Sequence, residues 1–133
     1  SFSAVAQPMS YDKNRSPVGW YVASYLLRFI ELKDEFNCDL EHRFTAWENT
    51  IIFKAKSIEE AYDKTITIAS AETDPYLGGV DGVAVQWVFE GVTTIVPIYE
   101  KLKDGAEIMW ENHGAKKLKN LRKRVIRRDE IRQ

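Results

Sequence analysis

The run Trp20-Tyr21-Val22-Ala23-Ser24-Tyr25-Leu26-Leu27-Arg28-Phe29-Ile30 constrains the fold most, because apolar side chains fill both sets of alternate positions. Aromatic and β-branched residues suit a pleated, largely buried surface, so the run predicts a long strand. One face carries Trp20, Val22, Leu26 and Ile30; the other carries Tyr21, Tyr25, Leu27 and Phe29. A strand apolar on both faces belongs inside a sheet that is covered on at least part of each side.

The segments around it supply the remaining layers. Residues 33–42 form a loop bearing Asp34, Glu35, Asp39 and Glu41, and residues 43–55 read as a second strand in a hairpin with the first. Ser57-Ile58-Glu59-Glu60 has the capping-box pattern, in which the Ser hydroxyl accepts from the Glu60 amide and the Glu60 side chain returns to the cap amide. A helix is therefore expected from Ile58, with Ile58, Ala61, Tyr62, Thr65 and Ala69 on one stripe. Asp74-Pro75 and Gly78-Gly79 mark a loop, and strand composition returns over 83–98, with Val83, Val85, Trp87 and Phe89 on one face and a bulge expected at Gly91. Asp104-Gly105 predicts a turn into a fourth strand over 106–113. Residues 115–133 read as a basic amphipathic helix with Leu118, Leu121 and Val125 on one face.

The expected fold is thus α+β: a mainly antiparallel four-stranded sheet, in the order strand-strand-helix-strand-strand, with one covering helix and a basic C-terminal helix. Residues 18–114 form the single domain. Residues 1–17 are polar, lack periodicity and read as a flexible leader; Met9 is a candidate natural start, which makes Ser1 to Pro8 foreign sequence or part of a longer parent chain.

Composition limits what this domain can be. At 133 residues the chain can bury about two thirds of its unfolded surface, enough for one core and not two. No apolar run reaches the ~20 residues of a membrane span, so no membrane association is expected. The single cysteine, Cys38, cannot form an internal disulfide, and a reducing, cytoplasmic setting fits best. The net charge of −1 hides an asymmetry. From Lys116 onward nine Lys or Arg stand against Asp129 and Glu130, whereas residues 1–115 carry ten basic and eighteen acidic side chains.

No catalytic constellation emerges. Cys38, His42 and His113 are too few and too loosely spaced for a metal site, and no oxyanion-type turn flanks Cys38, so neither a metal nor another cofactor is expected. The glycines of residues 76–82 lack the Lys-Ser/Thr pair of a phosphate loop. Glu48 and Glu90, each within a strand among apolar neighbours, are the candidates for carboxylate chemistry, although strand carboxylates usually face solvent. Of the four tryptophans, Trp20 and Trp87 are assigned to the core, while Trp47 and Trp110, beside Glu48 and Glu111, are candidates for a contact surface. Lys119, Arg122, Lys123, Arg124, Arg127 and Arg128 could engage phosphates or an acidic partner.

Trp20-Tyr21-Val22-Ala23, Trp47-Glu48 before Ile51-Ile52, Ala55-Lys56-Ser57 leading into Glu59-Glu60-Ala61-Tyr62, Val85 to Val92, and Asp104-Gly105-Ala106-Glu107 occur in an order that resembles a bacterial family catalogued as domain of unknown function 4288. The likeness spans roughly Val18 to Trp110. It implies kinship and carries no catalytic residues with it.

The reading that follows is a non-catalytic protein-binding module. Its acidic body would steer a basic partner, as in toxin-neutralising immunity proteins, with Trp47, Glu48, Glu90 and Trp110 as contact residues. Self-association through a sheet edge or the tail is a further expectation. The alternatives are nucleic-acid binding through the basic tail, and an enzyme that encloses Glu48 or Glu90 in a pocket.

Overall fold

The computed structural model describes residues 12–132. Its elements are β1 (Trp20–Glu31), β2 (Ala46–Lys54), α1 (Ile58–Ser70), β3 (Tyr76–Gly78), β4 (Val83–Pro97) and α2 (Leu118–Arg122), then a 3-10 turn at Arg128–Glu130. The four strands form one antiparallel sheet in the order β2-β1-β4-β3. The doubly apolar run is an inner strand: β1 pairs with β2 from Trp20↔Lys54 to Arg28↔Ala46, and with β4 from Tyr21↔Pro97 to Glu31↔Val85.

The β1–β4 register slips twice. Ser24 faces Thr94 but Tyr25 faces Val92, and Leu26 faces Gly91 but Leu27 faces Phe89. Thr93 and Glu90 are thus extra residues on either side of Gly91, whose φ of +156° suits a residue without a side chain. The two insertions cancel in parity, so Phe89 before them and Ile95 after them both pack toward the helix-covered core.

α1 begins where the cap pattern places it, with Ser57 Oγ accepting from the Glu60 amide at 3.1 Å. The return bond from the Glu60 carboxylate to the cap amide is not made among the described residues. Ala61, Thr65 and Ala69 are the buried positions of α1, small enough for a close approach, and Thr65 Oγ1 returns its proton to the Ala61 carbonyl at 2.8 Å. Tyr62, expected on this stripe, is exposed. Ala61 joins Tyr21, Ala23 and Phe53 in one core cluster; Ala69 joins Tyr25 and Leu27 in a second.

The fourth strand is Tyr76–Gly78, not residues 106–113. It pairs with Val83, Ala84 and Val85 across the Gly79–Gly82 turn, where both glycines have positive φ. The Asp104-Gly105 turn exists, with Ala106 N–H donating to Lys103 O at 2.9 Å, but residues 106–113 enter no ladder. Alternating polarity there lacks a neighbouring strand to pair with, and a strand is defined by its partner.

Residues 1–11 of the expected leader lie outside the described residues. The part that is described is held: Ser16 is buried, its hydroxyl donates to Ile98 O at 2.6 Å and accepts from the amides of Val18 (3.2 Å) and Trp20 (3.1 Å), and its amide donates to Tyr21 Oη at 3.1 Å. Among the described residues of the tail, α-helix is confined to Leu118–Arg122, and Leu118, Leu121 and Val125 are exposed. Among the described residues no helix is long and apolar enough to cross a membrane.

Candidate binding cleft

α1 covers the half of the sheet built around Tyr21, Ala23 and Phe53, and ends at Ser70. Past its last turn the same sheet face stays open. Strand pairing brings four aromatic residues together there: Trp47 lies opposite Leu27 on one side, while Phe89 faces Leu27 and Trp87 faces Phe29 on the other. Trp47 meets Trp87 edge to face, with centroids 6.2 Å apart and planes at 84°, and Trp87 is braced by Phe29 at 5.1 Å. Trp47 nevertheless remains 61% exposed.

These indoles, with Leu27, Asn49 and Glu72, line an open cleft of about 240 Å³. Glu72, two residues beyond α1, has its carboxylate fixed by two neutral donors: Tyr25 Oη donates to Oε1 at 2.9 Å and Asn49 Nδ2 to Oε2 at 3.4 Å. Burial raises the Tyr25 hydroxyl above its ordinary value of 10.0; Asn49 pulls it down, and the adjacent Glu72 carboxylate raises it by holding the proton and repelling a phenolate. No Lys, Arg or His is ion-paired with Glu72 among the described residues. An oriented carboxylate without a cation, beside two indoles set at right angles, has the elements of a cation site. A larger depression of about 300 Å³, lined by Phe29, Tyr76 and Val85 among others, shows no comparable convergence of polar side chains in its hydrogen bonding.

The structure separates the residues proposed from sequence. Glu48 and Glu90 lie on the opposite sheet face, both exposed: Glu48 Oε2 accepts from Thr93 Oγ1 at 2.5 Å, and Glu90 pairs with Arg28 at 2.7 Å. Each bulge residue on β4 thus takes part in a cross-strand polar contact. Neither carboxylate is enclosed, so the pocket required by the carboxylate-enzyme alternative is not formed around them. Trp110 packs against Tyr99 at 5.7 Å and does not line the cleft. Lys119, Arg122, Lys123, Arg124, Arg127 and Arg128 are all exposed, and among them only Arg127 is ion-paired, with Asp129 (3.5 Å) and Glu130 (3.1 Å). His42 stacks on Phe36 and meets Phe44 edge-on, Cys38 is exposed, and no group of three or more His, Cys, Asp or Glu converges among the described residues.

Of the cleft's residues, Trp47 is the one the sequence offers as a contact candidate; Tyr25, Asn49 and Glu72 are not singled out by it, and Trp87, assigned to the core, lines the cleft. Asn49 was the available signal: it interrupts the otherwise apolar series Trp47, Ile51, Phe53 on one face of β2, and a polar side chain there needs a partner.

A four-stranded antiparallel sheet with one covering helix, carrying an aromatic-acidic cleft where the helix stops, defines a small α+β domain. The family described as Domain of unknown function (DUF4288) matches residues 20–110, and the chain belongs to it. No curated protein and no solved structure matches. Every residue lining the cleft falls inside the matched span, and the basic tail falls outside it.

Proposed function

We propose that this chain is a non-catalytic protein-binding module that receives a cationic side chain of its partner, an arginine by preference, in the Trp47–Trp87–Glu72 cleft. The observation that carries the reading is the Glu72 carboxylate, oriented by Tyr25 and Asn49, ion-paired with no Lys, Arg or His among the described residues, beside an exposed indole. A guanidinium can stack on indole while donating to carboxylate, a combination that an ammonium makes less well. The acidic excess of residues 1–115 favours approach of a basic partner; a toxin-neutralising role is one form of this reading, and the lone exposed thiol of Cys38 is in keeping with a cytoplasmic setting.

The test is calorimetric titration of the full chain with an arginine-containing peptide and with the same peptide carrying citrulline. Arginine should bind and citrulline should bind at least tenfold more weakly; Trp47→Ala and Glu72→Gln should each weaken arginine binding by roughly tenfold. Equal affinity for both peptides, or variants that bind like the parent, overturn the reading.

The exposed tail supports a second reading, binding of nucleic acid through Lys119, Arg122, Lys123, Arg124, Arg127 and Arg128. It predicts affinity for duplex DNA that falls steeply with salt and vanishes when the chain ends at Gly114. Binding that survives the truncation contradicts it.

A further inference from the structure

β2 is an outer strand of nine residues without proline or bulge, and among the described residues only β1 pairs with it. Such an edge is a template for another strand. The direction of its free groups follows from the flanking bonds. Ala55 N–H donates to Gly19 O at 3.1 Å and Thr45 O accepts from Phe29 N–H at 2.9 Å, so the odd-numbered residues of this strand face β1 and the even-numbered ones turn outward. Lys64 Nζ agrees with this, reaching the outward Lys54 carbonyl at 2.5 Å.

We infer that β2 pairs antiparallel with β2 of a second copy of this chain, about a two-fold axis at Ile51. This register matches both charges of the strand, Glu48 and Lys54. It sets Glu48 opposite Lys54 of the second copy, twice by symmetry, and Thr50 opposite Ile52, all between outward-facing residues that can exchange hydrogen bonds. Centring on Thr50 instead places Glu48 against Ile52 and Lys54 against Ala46, and leaves both charges unmatched. With the Lys54 carbonyl held by Lys64, about six intermolecular backbone bonds remain available. Ile52, 46% exposed on the sheet face away from α1, gains cover from Thr50. The product is one continuous sheet carrying both α1 helices on the same face, because a two-fold that joins antiparallel edges stands perpendicular to the sheet. This inference does not depend on the cleft.

Sedimentation equilibrium of the full chain tests it, with Glu48→Lys, Lys54→Glu and the double exchange. The parent should be a dimer whose dissociation constant rises roughly tenfold or more in each single variant, where like charges face each other, and returns toward the parental value in the double exchange. Thermal unfolding at a concentration where all four are monomeric should show the fold intact in each. A monomeric parent, a dimer indifferent to the single changes, or a loss that the double exchange fails to restore would each overturn the inference.

Discussion

The two halves of β1 carry similar residues and meet different fates. Tyr21, Val22, Ala23, Ser24 and Tyr25 are all buried, on both faces of the strand, whereas from Leu26 to Glu31 only Leu27 is. The boundary coincides with the two β4 bulges, between Ser24 and Tyr25 and between Leu26 and Leu27. In the first half α1 covers one face, and Ser16 links the entering chain to Ile98 at the strand's start. In the second half α1 reaches only Leu27, through Ala69, and beyond that contact Trp47 and Trp87 line an open cleft. Hydrophobic composition decides that a strand is made; what lies over it decides whether its side chains are enclosed in core or line an open cleft.

Substitutions should separate the halves by magnitude. Tyr21→Ala removes a fully buried ring from the first cluster and should cost about 3–5 kcal/mol, enough to unfold a marginal domain, as chemical denaturation will show. Ser16→Ala leaves the Ile98 carbonyl and two amides without their partner and should cost about 1–3 kcal/mol in the same assay. Ser57→Ala deletes the α1 cap and should cost about 1 kcal/mol, with Ser57→Asp recovering most of it. Trp47→Ala, on the same sheet face as Tyr21 but in the open half, should change stability by less than about 0.5 kcal/mol while abolishing the cleft. A large loss of stability there would mean that the second half is core after all.

Tyr25 spans the two halves, with its ring in the core and its hydroxyl at the cleft. Its folded pKa is raised above 10.0, so the stability it contributes is complete below pH 10.0 and is lost as pH rises from there toward the folded value. Ultraviolet titration should show a late-ionising phenol that is missing in Tyr25→Phe, and Tyr25→Phe should flatten the alkaline decline in stability. Ionisation in step with the exposed tyrosines would contradict a phenol buried against Glu72.

Legibility followed pattern strength. β1, the Ser57 cap and the Gly91 irregularity were readable because each rests on local chemistry: side-chain alternation, a hydroxyl three residues from a Glu, a glycine within a strand. Tyr76–Gly78 reads as loop because the Gly78-Gly79 pair dominates the local signal, and its pairing with Val83 to Val85 is set by the tight turn between them. Residues 106–113 alternate like a strand but enter no ladder, a fact that local sequence does not contain. Ser16 looked like leader because its partners are 82 residues away at Ile98 and at the start of β1. Glu72 carried no motif at all; its role comes from Tyr25 and Asn49, which reach it across 47 and 23 residues. The tail's apolar stripe was legible, but a stripe forms a lasting helix mainly when packed, and Leu118, Leu121 and Val125 are exposed.

The most direct test of the central claim, that the open half of β1 supports a cation site, is the indole N–H resonances of the four tryptophans during titration with an arginine peptide and its citrulline counterpart. Trp47 and Trp87 should shift to saturation with arginine and stay nearly still with citrulline, while Trp20 and Trp110 remain in place. Shifts at Trp110 alone, equal responses to both peptides, or no response at Trp47 would contradict the account.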